Sequence, residues 1–174
     1  ASETKAVDCF GANTGEATVS PTGGNGSFQY LWDNGETTAT AVMLNAGTHI
    51  VTVTDTKGCD SFCSVNISQP AEALDCMIAI DQNVLCTGPN TGAATVLPSG
   101  GTAPYSYLWD NGENTISATQ LNLGNHFVTV TDNNNCEKVC SIEIIEEPPQ
   151  CTTIYSNGFT RTNRFFGGKK PGDQ

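Results

Sequence analysis

The sequence predicts an all-β protein made of two tandem sandwich domains, and three observations carry that expectation. The first is repetition: shifting the 174-residue chain by 77 residues superimposes its halves without a gap from Cys9/Cys86 to Ile67/Ile144, and about half of the aligned positions are identical. The second is period: in GTHIVTVTD, His49, Val51 and Val53 point one way while Ile50, Thr52 and Thr54 point the other, as in a half-buried strand rich in β-branched residues. The third is turn chemistry, since 18 glycines and 8 prolines punctuate the chain and helix signals are almost absent.

Taken in order, each copy reads as roughly six or seven short strands. In the first they are A (around 4–9), B (16–20), C (27–32), C′ (36–42), F (48–55) and G (61–68). TGEATVSPTGG (14–24) returns as TGAATVLPSGG (91–101), YLWDNGE (30–36) as YLWDNGE (107–113), and HIVTVTD (49–55) as HFVTVTD (126–132). The Gly pairs 23–24 and 100–101 end strand B. The Asn-Gly pairs at 34–35 and 111–112 suit a left-handed turn that sends the chain back beside strand C as a hairpin. This spacing is that of an immunoglobulin-like β-sandwich. The expected units are residues 1–70, 71–150 and a tail, 151–174.

A domain this small needs a dense core and added staples. Trp32 and Trp109, on strand C of each copy, are the expected core centres, with Tyr30/Tyr107, Phe28/Tyr105, Leu44/Leu121 and the strand F valines around them. The competing role for such aromatics is a sugar-stacking platform, which would make surface glycans a partner.

Eight cysteines in so short a chain point to an oxidising, extracellular or cell-surface setting and a disulfide framework. The separations Cys9 to Cys59 and Cys86 to Cys136 are identical, whereas Cys63 to Cys76 and Cys140 to Cys151 differ by two residues. A bond that staples a rigid domain should keep its spacing and one that closes a linker need not, so the expected pairs are Cys9–Cys59, Cys86–Cys136, Cys63–Cys76 and Cys140–Cys151. The last two would clamp the domain junctions. A zinc site at the repeated CxxxC, Cys59/Cys63 and Cys136/Cys140, is the rival, without a nearby histidine.

Charge excludes some partners. With 7 Lys+Arg against 18 Asp+Glu the chain carries -11, which repels nucleic acid and anionic membrane surfaces. No segment has the roughly 18–20 apolar residues of a membrane helix, so no direct membrane insertion is expected. The start, ASETKAVDC, lacks the pattern of a signal peptide, so export implies a removed leader or a longer polypeptide.

Catalytic chemistry is sparse, and the chain is read as a non-enzyme. There is no GxSxG, HExxH or phosphate loop. The only histidines, His49 and His126, are repeat equivalents on the valine face, expected as hydrogen-bonded structural side chains rather than general bases. No cofactor is expected. Calcium has a candidate oxygen donor set, from Asp33/Glu36 and Asp110/Glu113 in the DNGE turns and from Asp55/Asp60 and Asp132/Glu137 after strand F. Against it, EF-hand spacing is missing and turn aspartates normally bond their own backbone.

The tail breaks the pattern. Residues 151–174 hold four of the seven basic residues and one acid, about +3 against -14 for residues 1–150. It reads as a linker, as the start of a next module, or as an assembly arm that adds a strand to a neighbouring identical subunit through Phe159, Arg161, Arg164, Phe165 and Phe166.

These features together resemble the SprB repeat family of the Bacteroidota: an early Cys followed by G and TG, then ATV, a Gly-Gly pair, aromatic-x-aromatic with LWDNG, a Leu before Gly, VTVTD, and a trailing Gly58-Cys59 or Asn135-Cys136. The resemblance covers about residues 5–147, both copies. It implies modules of large exported surface proteins, including adhesins of gliding motility and type IX secretion, whose partners are neighbouring domains of the array. Two departures stand out, His49 and His126 where a tyrosine is expected, and the additional second cysteine pair. The functional expectation is a stiff stalk segment of a cell-surface adhesin. A filament subunit polymerising through its tail and a carbohydrate-binding module are the alternatives.

Overall fold

The computed structural model describes residues 1–85 and 90–147, together with the backbone of 152–154 and 160–162. Each repeat forms six strands. The first has β1 (Ser2–Lys5), β2 (Gly15–Thr18), β3 (Gln29–Trp32), β4 (Thr40–Leu44), β5 (Gly47–Thr54) and β6 (Asp60–Ile67). The second has β7 (Asp75–Gln82), β8 (Gly92–Ser99), β9 (Ser106–Trp109), β10 (Ser117–Leu121), β11 (Gly124–Thr131) and β12 (Glu137–Ile144). In the tail, β13 (Thr152–Ile154) and β14 (Thr160–Thr162) pair antiparallel.

The strands of each repeat make two three-stranded antiparallel sheets, β1-β2-β4 against β3-β5-β6 and β7-β8-β10 against β9-β11-β12. This is an all-β, immunoglobulin-like architecture. The alternation read from GTHIVTVTD is visible directly, with His49, Val51 and Val53 buried and Ile50 half exposed. Its partner β6 runs beside it in unbroken register from Gly47↔Ile67 to Thr54↔Asp60.

One expected connection differs. The Asn34-Gly35 turn does reverse the chain, with Gly35 N donating to Trp32 O and Trp32 N to Glu36 O. The hairpin ends there, because β4 crosses to the other sheet and pairs with β2 through Ala17↔Ala41 and Thr18↔Thr40. The reason lies in burial: Ala41 and Leu44 both face the core, and only a strand beside β2 closes that side of the sandwich. Keeping both inward over three residues requires a bulge, and Met43 takes a left-handed φ of 56° to make it. Gln120, its repeat equivalent, does the same at 56°.

Each repeat encloses its own core. Trp32 and Trp109 are both 2% exposed and their indole N–H groups donate to Thr38 O (2.9 Å) and Thr115 O (3.0 Å). Leu44, Val51 and Ile67 surround the first and Leu121, Val128 and Ile144 the second, with Tyr30, Phe28, Tyr107 and Tyr105 half-buried at the margins. The sheets come so close at Gly15 that a Cβ there would lie 2.6 Å from Ile67 and 2.9 Å from Leu44 O; Gly92 repeats the contact. The recurring TG before EATV and AATV is therefore a packing requirement.

Candidate functional site at the junction of the repeats

The chain's most distinctive chemistry lies where the repeats meet, and it is built by a loop that each repeat forms in the same way. After β11 the buried Asp132 turns its carboxylate onto its own loop, Oδ1 accepting from Asn134 N (2.8 Å) and Cys136 N (2.9 Å) and Oδ2 from Thr102 N (2.9 Å). Asn135 closes the turn at a φ of 63°. The result is a rigid loop that holds Asn134 and Cys136 outward, toward the first repeat.

Two bonds cross the junction there. Asn134 Nδ2 donates to Asp8 O at 2.9 Å, and Cys136 forms a disulfide with Cys9. The second disulfide, Cys76–Cys140, lies within repeat two and ties β7 in one sheet to β12 in the other. Lys138 and Asp75 add an ion pair at 3.1 Å along the same edge.

These pairings correct all four expected ones. Cys9 bonds to Cys136 rather than Cys59, so Cys86 is not the partner of Cys136; Cys76 bonds to Cys140 rather than Cys63, so Cys151 is not the partner of Cys140. Cys59 is a free, exposed thiol and Cys63 a free, partly buried one. Cys86 and Cys151 lie outside the described residues, as do Phe159, Arg164, Phe165 and Phe166; Arg161 is placed only as backbone in β14. The physical reason for the correction is that equal spacing follows from the repeat itself. A bond from one module to the next recurs at a constant interval just as a bond within a module does. No signal in the sequence separates the two cases.

Repeat one carries the same loop. Asp55 Oδ1 accepts from Lys57 N (2.9 Å) and Cys59 N (3.0 Å), and Oδ2 from Asn25 N (3.2 Å). These bonds, that from Cys59 first, hold the Asp55 carboxyl below its ordinary 3.8, with burial working against them. The folded state therefore binds this proton less readily than the unfolded chain. Its stabilising contribution is complete above the unfolded value and is lost as pH falls through the depressed folded one. The melting transition of repeat one is expected to fall below about pH 4, and Asp55→Asn to remove that part of the pH dependence in a series of thermal scans. A pH profile that the substitution leaves unchanged would show that the loop does not use the charge.

Seven of the eight acids singled out for calcium, all but Glu137, are engaged with the protein's own groups, Asp60 with Thr54 Oγ1 among them. Besides the two loop aspartates, Asp33 and Asp110 face the histidines, and Glu36 and Glu113 accept from Val42 N and Thr119 N. Among the described residues no group of three or more His, Cys, Asp or Glu side chains gathers as a metal site. His49 places Nδ1 3.0 Å from Asp33 Oδ1 and Nε2 3.0 Å from Asn45 O. His126 repeats this with Asp110 and Asn122 O at 3.0 Å each. Both nitrogens of each ring are used, which leaves none to take a proton from a substrate.

The family comparison follows these features. The SprB repeat matches twice, over residues 1–37 and 79–114. The chain carries two tandem SprB repeats. Both matched regions run from the first strand of a repeat through its Trp and DNGE turn, Trp32 to Glu36 and Trp109 to Glu113. The cysteine-bearing loops after β5 and β11 lie outside the matched parts of the SprB repeats. No curated protein matches the chain in sequence. Among solved structures, the C-terminal 282-residue fragment of intimin, in complex with the intimin-binding domain of the translocated intimin receptor, is similar over 82% of this chain at 16% identity with a TM-score of 0.37. The chain spans 55% of that fragment. Domains 3 and 4 of rat CD4 are similar over 83% of this chain and 97% of theirs, at 14% identity and a TM-score of 0.25.

Proposed function

We propose that the chain is a non-enzymatic, extracellular structural segment, a stiff stalk of a cell-surface adhesin in which consecutive SprB repeats are locked into one unit. The observation that carries this reading is the Cys9–Cys136 disulfide, which joins one repeat to the next by a covalent bond in addition to the peptide link between them. A peptide linker alone leaves two small domains free to bend. A second covalent tie, reinforced by the Asn134–Asp8 hydrogen bond, removes most of that freedom.

Three further features support it. Disulfides persist outside the reducing cytosol. Both tryptophans lie in the cores, where an indole stiffens a sandwich and is withdrawn from any sugar-stacking face. The net charge of -11 keeps a long array soluble and self-repelling. The partners in this reading are neighbouring modules, and the setting is the exported surface apparatus, gliding motility and type IX secretion included, that the family resemblance implies.

Small-angle scattering on the oxidised chain and on the Cys9→Ser/Cys136→Ser variant tests the proposal. The oxidised chain is expected to give one narrow distribution of interatomic distances and the variant a broader one. Identical curves would mean that the bond does not set the orientation of the repeats, and the stalk reading would lose its basis.

A further inference from the structure

The two disulfides change the route by which a pull crosses the chain. Along the peptide alone, tension would enter repeat one at β1, leave it at β6, pass through residues 68–74 and run from β7 to β12. The strands on that route fold back on one another, so separating them lengthens the chain. A force does work only where length is released. Cys9 and Cys136, however, are 127 residues apart in sequence and 5.7 Å apart at their Cα atoms. Pulled straight, the stretch between them would release about 440 Å at the extended-chain length per residue. The S–S bond forbids that release.

What stays on the route is largely strand already. β1 covers Ser2–Lys5, shortly before Cys9, and β12 covers Glu137–Ile144, directly after Cys136. A strand rises about 3.4 Å per residue, close to the limit of an extended chain. Peeling β12 from β11 therefore releases almost no length, even though eight residue pairs join them. We propose that the Cys9–Cys136 bond makes the two repeats a tension bypass: a pull runs from β1 through the cystine into β12, and residues 10–135, with both cores and the linker, bear none of it.

The second bond is a reserve. In chain order the cysteines run Cys9, Cys76, Cys136, Cys140, so the two bonds interlace. With the junction bond closed, the shortest covalent route misses Cys76–Cys140. With it open, the route runs from the amino end to Cys76, across to Cys140 and out. Repeat one then takes the pull and unfolds, while residues 77–139 stay off the route. Thermal and mechanical resistance are thereby assigned to different bonds: Cys76–Cys140 stabilises repeat two against heat, and Cys9–Cys136 shields both repeats against tension.

This deepens the stalk reading and rests on it only for the presence of a pull. Single-molecule force spectroscopy on the full chain, held by handles at its two ends with any remaining thiols alkylated, tests it. In the oxidised wild type 48 residues, 1–9 and 136–174, lie on the route, and extension is expected to end at about 170 Å without an unfolding step. The Cys9→Ser/Cys136→Ser variant puts 111 residues on the route, so one step, the unfolding of repeat one, should precede an end at about 390 Å. The reduced wild type, with all 174 residues on the route, should give two steps and about 610 Å. The Cys76→Ala/Cys140→Ala variant should pull like the oxidised wild type despite its lower melting transition. Oxidised wild type that lengthens in steps beyond about 170 Å overturns the proposal. So does a Cys9→Ser/Cys136→Ser variant that ends where the wild type ends, or a Cys76→Ala/Cys140→Ala variant that unfolds in steps. Scattering reads the orientation of the repeats with no pull applied, so a chain of single orientation that still unfolds in steps loses the bypass and keeps the stalk reading.

Discussion

Trp109→Ala is expected to remove about 3–5 kcal/mol from the unfolding free energy of repeat two. Trp109 is 2% exposed and meets both sheets of its repeat, so the substitution opens a cavity that the short strands around it cannot close. It also strips Thr115 O of the indole N–H that donates to it at 3.0 Å. A domain of about 75 residues has total stability of roughly 4–11 kcal/mol, so the loss is a large share of the whole. Repeat one holds the only other tryptophan, and in the variant fluorescence therefore reports repeat one alone while far-ultraviolet circular dichroism reports both. Urea titration should separate the two transitions, with the fluorescence midpoint at its wild-type position and the dichroism transition split toward lower urea. A loss below about 1 kcal/mol would mean that this tryptophan is not the centre of its core.

The second large effect is expected from the cystine within repeat two. Cys76 and Cys140 are 64 residues apart. Closing such a loop in the unfolded chain is worth about 4 kcal/mol in the chain-entropy model. The Cys76→Ala/Cys140→Ala variant should therefore lower the melting transition of repeat two, whereas Cys63→Ala in repeat one, which breaks no bond, should cost under about 1 kcal/mol. The asymmetry is the informative part, because the two repeats share their core and differ at this edge. Differential scanning calorimetry of the oxidised chain should show repeat two as the more stable unit, with the gap closing under reductant. Equal effects of the two substitutions would contradict a staple confined to one repeat.

Much of the fold was legible because it depends on local pattern. The alternation in β5 and β11 follows from the pleat, and the position of Trp32 and Trp109 in the core follows from an aromatic strand amid valines. The repeat itself doubled every such signal. The crossing of β4 to the sheet of β2 was not legible, since an Asn-Gly turn specifies a reversal but not how far the returning strand stays beside its neighbour. That was decided by Ala41 and Leu44, which reach the core only from the other sheet. The acids around the turns were legible as turn chemistry; their precise use, Asp55 and Asp132 holding the cysteine loops outward, required the distances.

By itself, then, the sequence determined two copies of one all-β module and their core residues, since composition and period act along the chain. Only the tertiary structure decided which cysteines meet. Disulfide partners are set by the distance between loops in space, and in a tandem array the nearest loop to Cys9 belongs to the following repeat. The 77-residue interval is the same for a bond within a module and a bond between modules. In place of the two domain staples and two junction clamps that spacing suggests, the described residues hold one staple within repeat two, one bond between the repeats and two free thiols.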